Sequence, residues 1–124
     1  MAARVGVLAS GNGSNLQALL DAAAAGAPFE IVRVVVNRAD AFAAERARQA
    51  GVAVEFVDHR AFAARAEFDA AIEAVLAAAR VEWVALAGFM RVLGAEFIAR
   101  RRDRILNIHP SLLPAFPGLD THAR

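Results

Sequence analysis

Five short apolar runs, each separated from the next by a stretch with helical periodicity or a tight turn, set the architecture of this 124-residue chain. Val5-Gly6-Val7-Leu8-Ala9 stops at a glycine turn, and Ile31-Val32-Arg33-Val34-Val35-Val36 is rich in β-branched residues, which suit a pleated, half-buried surface. Val52 to Val57, Val81 to Ala87 and Ile105 to Ile108 supply three further strand candidates. Between them Leu16, Leu19 and Leu20 recur at helical spacing, and Phe68, Ile72, Val75, Leu76 and Ala79 form the apolar stripe of a helix lying on a sheet. A third helix through Ala43-Ala44-Glu45-Arg46, with Asp40 as its expected cap, stops before Gly51, and a short fourth runs from Gly94 to Arg101. Strands that alternate with helices need right-handed crossovers. The pattern therefore predicts one α/β domain over residues 1–124, a Rossmann-like, doubly wound, mostly parallel sheet.

The available chemistry is narrow. The sequence has no cysteine, which removes disulfides, thiolate nucleophiles and thiolate-bound metals together. Its 14 basic residues other than histidine are all arginine, which excludes Schiff-base catalysis and a lysine-bearing phosphate loop. Net charge is +1, and Arg100-Arg101-Arg102 with Arg104 lies beside Glu96 and Asp103. That cluster reads as a solvated helix end, and no nucleic-acid partner is expected. No uncharged apolar run is long enough to span a bilayer, and Met1-Ala2-Ala3-Arg4-Val5 resembles no signal sequence. The expected location is the cytoplasm, with no membrane partner. His59, His109 and His122 have few carboxylates near them in sequence, so no metal site is expected. His59, in Asp58-His59-Arg60, reads as a solvent-facing turn residue.

Two segments carry candidate chemistry. Ser10-Gly11-Asn12-Gly13-Ser14-Asn15 joins the first strand to the first helix. Its glycines permit close backbone approach, and its last residues offer unpaired N–H groups at the positive end of a helix, which suits a phosphate. Ser14 or Asn15 is the expected cap. Leu16 stands where a dinucleotide fingerprint needs its third glycine, and no Gly-Lys-Ser/Thr follows. The competing reading is a tight turn with an ordinary cap. The second segment, Asn107-Ile108-His109-Pro110-Ser111-Leu112-Leu113-Pro114, leaves the last strand and is stiffened by prolines at 110, 114 and 117. Asn107 can donate an amide N–H to a developing oxyanion, and a protonated His109 can donate a second bond and then a proton. The pair fits addition to a carbonyl. Ser111 lacks the glycine elbow of a hydrolase nucleophile.

The segment from Asn107 to Pro114 resembles the signature of the folate-dependent formyltransferases. Ser10-Gly11-Asn12-Gly13-Ser14-Asn15-Leu16-Gln17-Ala18, Ala87-Gly88-Phe89-Met90-Arg91, Asn37-Arg38-Ala39-Asp40-Ala41 and Glu45-Arg46-Ala47-Arg48-Gln49-Ala50-Gly51 narrow the similarity to members that formylate glycinamide ribonucleotide in purine synthesis. The resemblance implies 10-formyltetrahydrofolate as formyl donor, no metal, and small-molecule substrates. It implies Gly13, Ser14 and Asn15 at the ribonucleotide phosphate, and Met90, Arg91, Val92, Leu93 and Asn107 around the folate, with Arg65 near the glutamate tail. It implies Asn107 and His109 as the catalytic pair. Members of this family continue beyond the length seen here and carry a downstream aspartate beside the histidine, with which Asp120 does not match. The carboxyl-terminal part of the fold is therefore expected to be absent, leaving the last strand partly uncovered, with homodimer formation open. The alternatives are another folate formyltransferase, such as methionyl-tRNA formyltransferase or formyltetrahydrofolate deformylase, and a non-catalytic phosphoribosyl-binding half-domain.

Overall fold

The computed structural model describes residues 2–108. His109, Ser111, Asp120 and His122 lie outside the described residues. In chain order the elements are β1 (Ala3–Ala9), α1 (Ser14–Ala24), β2 (Phe29–Val36), α2 (Phe42–Gln49), β3 (Val54–Phe56), a single 3-10 turn (His59–Ala61), α3 (Arg65–Ala78), β4 (Trp83–Leu86), α4 (Ala95–Arg100) and β5 (Ile105–Asn107). The strands form one sheet in the order β3-β2-β1-β4-β5, with every pairing parallel. This is the doubly wound arrangement that the alternating pattern predicts.

Side chains of a strand alternate between faces, and in β1 both directions meet a core. Val5, Val7 and Ala9 join Leu16, Leu19 and Leu20 of α1 and Ala43, Ala44 and Ala47 of α2. Leu8 points the other way, into a cluster with Phe68, Ile72 and Leu76 of α3 and Phe97 of α4. Strands covered on both faces have no solvent side, which is why β1 and the end of β2 read as continuous apolar runs. Gly6 brings α3 closer than any side chain would allow. A Cβ there would lie 2.8 Å from Leu76 Cδ2 and 2.9 Å from Val81 Cγ2.

Arg4 closes the opposite end of the sheet. Its Nη2 donates to the Ala79 carbonyl at 2.8 Å and its Nε to the Arg80 carbonyl at 3.1 Å, serving carbonyls that the end of α3 leaves without helical partners. Its backbone N–H donates to Glu82 Oε1 at 2.9 Å, and its carbonyl accepts from the Glu82 N–H at 2.8 Å.

Several local expectations are corrected. Ala41, in extended conformation, precedes α2 as its cap. Asp40 lies one residue outside and pairs with Arg38 at 3.3 Å. Neither Ser14 nor Asn15 caps α1, because the cap position belongs to Gly13 in the left-handed region, at φ 84°. Arg101 does not belong to a solvated cluster. It makes a two-pronged pair with Glu73 of α3 at 2.7 and 2.9 Å, donates to the Val81 carbonyl at 3.2 Å, and keeps only 11% of its side chain exposed. A fork that matches a carboxylate at two points can hold such a position where a lone charge would not.

On the face carrying α1, Val5, Leu19, Phe29, Trp83, Ala85 and Leu106 line an apolar groove of about 300 Å³. Helix α1 packs over β1 and β2 on that side.

The approach of α3 to β1 gives a direct test. Gly6→Ala is expected to lower stability by about 1–3 kcal/mol through overpacking. Gly11→Ala, whose Cβ would meet nothing within 4 Å, should leave the urea midpoint of unfolding where it is. Equal midpoints for the two variants would contradict this packing.

Candidate functional site

The chain leaves β1 toward β2 on one side and leaves β4 toward β5 on the other, so their following loops diverge. Open parallel sheets bind ligands in such a crevice, at the carboxyl ends of their strands. Hydrogen bonds tie the predicted segments together here. The Ser10 N–H donates to the Gly88 carbonyl at 3.3 Å, the Met90 N–H donates to Ser10 Oγ at 2.7 Å, and Asn15 Nδ2 reaches the Ile108 carbonyl at 3.5 Å. The start of α1, the loop after β4 and the end of β5 that carries Asn107 thus share one end of the sheet.

Gly13 has two reasons to be glycine. Its positive φ disfavours a side chain, and a Cβ would lie 2.7 Å from Ala43 Cα. Helix α2 is bound to the same loop, the Ala43 N–H donating to the Gly11 carbonyl at 3.1 Å. Within α1 the Gln17 N–H reaches back to the Gly13 carbonyl at 2.8 Å. The N–H groups of Ser14 and Asn15 therefore precede the first helical bond and remain available to an anion.

The loop after β4 turns at Gly88, φ 73°, and displays Met90 and Val92 with relative exposures of 75% and 71%. Arg91 is exposed beside them. Leu93, by contrast, is buried. Leu93 packs into the cluster of Phe68, Ile72 and Phe97, so only its backbone can serve the crevice. Phe89 likewise turns inward, its ring stacked on Phe68 at 6.4 Å. Arg65 begins α3 and is exposed, with its Cδ 3.9 Å from the point where a Gly94 Cβ would stand. Asn107 ends β5 and is exposed.

His59 is half-buried rather than solvent-facing. Its Nδ1 lies 3.3 Å from the Asn37 carbonyl and 3.4 Å from Asn37 Nδ2, and its ring meets Phe68 edge-on. Next to it, Asp58 accepts from the Arg60 guanidinium and from the Arg60 N–H, and the side-chain bond is the larger cause holding its carboxyl below the usual carboxylate range. A depressed folded-state pKa favours the folded turn above the unfolded pKa, and that contribution is lost as pH falls through the folded value. No group of three or more potential metal ligands occurs among the described residues, and no described helix is long and apolar enough to cross a membrane.

Comparison with known proteins is decisive about ancestry. The family model described as formyl transferase matches residues 3–124. The chain belongs to the formyl transferase family. It is 49% identical over 117 residues to phosphoribosylglycinamide formyltransferase of Escherichia coli K12, covering 94% of this chain and 55% of that protein. It is 50% identical over 119 residues to the trifunctional purine biosynthetic protein adenosine-3 of Drosophila melanogaster, covering 94% of this chain and 9% of that protein. Among solved structures, glycinamide ribonucleotide transformylase 1 from Symbiobacterium toebii superposes with a TM-score of 0.84 at 49% identity, covering 96% of this chain and 57% of the other. The chain thus spans just over half the length of the bacterial relatives it matches.

Within this formyl transferase fold, two buried polar side chains clamp the loop between β4 and α4: Ser10, which opens the glycine segment singled out in the sequence, and Asp69, which did not stand out there. Ser10, fully buried, holds its start through Met90. Asp69, 7% exposed, holds its end by accepting the Gly94 N–H at 2.8 Å. A Cβ at Gly94 would lie 2.8 Å from Asp69 Oδ2, so a side chain there would push the carboxylate from this position. Asp69 Oδ1 has no hydrogen-bond partner among the described residues. The signal available in sequence was a carboxylate next to Phe68 on the apolar stripe of α3, which a buried role would explain.

Removing either acceptor should loosen its own end of the loop. In Ser10→Ala the Met90 amide, and in Asp69→Ala the Gly94 amide, is expected to exchange hydrogen about fivefold to a hundredfold faster, as loss of one bond worth about 1–3 kcal/mol implies. Protection unchanged in both variants would show that the loop is held by other means.

Proposed function

We propose that the protein transfers a formyl group from 10-formyltetrahydrofolate to the amine of glycinamide ribonucleotide, a step of purine biosynthesis carried out in the cytoplasm. The observation that carries this reading is the convergence of a glycine-capped helix start, a loop of exposed apolar side chains and Asn107 at one end of a parallel sheet. The names of the similar proteins supply the substrate class.

In this reading the ribonucleotide phosphate rests on the backbone and side-chain groups of Gly13, Ser14 and Asn15, where aligned N–H groups favour an anion. Met90, Arg91 and Val92, with the backbone at Leu93, receive the flat folate heterocycle, and Arg65 serves its anionic tail. An apolar wall with a few fixed hydrogen-bonding groups suits such a ligand. The substrate amine attacks the formyl carbon, forming the new C–N bond and a tetrahedral centre. Asn107 donates an amide N–H to the oxyanion, and His109 donates a second hydrogen bond. Breaking the old C–N bond leaves its electron pair on the folate nitrogen, which takes up a proton with the help of His109. The amine proton is lost to solvent or a base, so the two nitrogens exchange formyl for hydrogen and no covalent bond to the enzyme forms.

Formyl transfer to glycinamide ribonucleotide should be detectable spectroscopically as the donor loses its formyl group. Asn107→Ala and His109→Ala are each expected to reduce turnover about a hundredfold to a thousandfold, the usual cost of removing one oxyanion donor, while ribonucleotide binding persists. Binding without turnover in the unsubstituted protein would favour the alternative reading, a phosphoribosyl-binding half-domain. Full activity in both variants would refute the assigned roles.

A further inference from the structure

We propose that Arg46 of α2 is a positioning residue for the phosphate end of the site, acting from behind the loop that begins α1. The inference rests on the reading of Gly13, Ser14 and Asn15 as the phosphate-binding groups. Three guanidinium nitrogens of Arg46 face that loop and helix. Nε donates to the Asn12 carbonyl at 2.8 Å, Nη2 to Asn12 Oδ1 at 2.8 Å, and Nη1 to Gln17 Oε1 at 3.3 Å. The Phe42 ring lies against the guanidinium, 4.9 Å from its carbon to the ring centroid, so the fork is braced by stacking.

The consequence for the loop follows from peptide geometry. In a planar trans peptide the C=O and N–H point in opposite directions. Holding the Asn12 carbonyl toward α2 therefore turns the Gly13 N–H away from α2. It also fixes the peptide that enters the left-handed Gly13, at φ 84° and ψ 20°, a conformation whose next N–H groups are those of Ser14 and Asn15. Residue 13 cannot retreat, because Ala43 Cα lies only 2.7 Å from the place a Cβ would take. Arg46 thus selects one of the orientations that a glycine-rich loop could take, so that less ordering is left to be done when an anion arrives.

Two features separate positioning from direct contact. Nε, Nη1 and Nη2 each already donate to Asn12 or Gln17, so three of the five N–H groups of the fork are held by the loop and by α1. Among the described residues Arg46 takes part in no ion pair, the nearby Glu45 pairing with Arg48 at 3.9 Å. Its charge therefore remains uncancelled behind the loop and adds to the attraction for an anion.

Titration calorimetry of glycinamide ribonucleotide and, separately, of the formyl folate donor distinguishes the roles. Arg46→Ala and Arg46→Lys are both expected to weaken ribonucleotide binding by about tenfold to a hundredfold, the range seen when a supporting residue is lost, and to leave folate binding unchanged. Lysine keeps the charge but not the fork. Ribonucleotide binding by Arg46→Lys at the unsubstituted level would show that charge alone suffices and would overturn the positioning role. An equal loss for both ligands would mark a general structural effect and would also overturn it. Should Arg46→Ala fail to fold, the lysine variant decides alone. No ribonucleotide binding by the unsubstituted protein would instead defeat the functional reading on which the inference rests.

Discussion

Parallel pairing of β1 on both of its edges is the constraint from which the rest of this structure follows. A strand placed between β2 and β4 sends one crossover to each side, and right-handed connection then puts α1 and α2 on one face and α3 and α4 on the other. Both faces of β1 become interior. That accounts for Val7 and Leu8 pointing in opposite directions into two separate cores, and for the absence of any charged residue from Val5 to Ala9. The same arrangement makes the loops after β1 and β4 part company, so a crevice opens without any residue having been recruited to make it.

What turns that crevice into a defined surface is a small set of polar anchors on the surrounding elements. Ser10 and Asp69 fix the two ends of the loop after β4, and Ala43 and Arg46 fix the loop after β1 from outside. A buried carboxylate such as Asp69 costs solvation free energy unless it is matched, and one of its oxygens meets no described partner. Such a residue makes sense where holding a backbone in place matters more than stability alone. Exposed Met90 and Val92 are the counterpart of that anchoring, because a loop held at both ends can keep apolar side chains in water without folding them inward.

The architecture could be read from residues whose chemistry is local. β-Branched runs such as Ile31 to Val36 and the stripe from Phe68 to Ala79 report their own burial, and the Asn107 and Ser10–Asn15 segments placed the chain in its family. The misreadings share a different origin. Asp40, Ser14 and Asn15 are good caps by residue type, but the contact between Gly13 and Ala43 moved the boundary of α1 to a left-handed glycine. Arg101 looked solvated because its partner Glu73 is 28 positions away. Long-range pairing decides each case, and no short window contains it.

The bonds that Arg4 makes to Ala79, Arg80 and Glu82 span 75 to 78 positions. They join nearly the first residue of the sheet to the turn that enters β4, so they cannot form during synthesis until most of the described chain has emerged. The centre of the sheet is thus the first strand made and among the last to be enclosed. Until β4 arrives, β1 has one edge of unpaired N–H and C=O groups, a condition that favours slow, non-local folding and exposes the nascent chain to mispairing. A sheet whose candidate site borders its central strand is therefore open to mispairing while it is still being made.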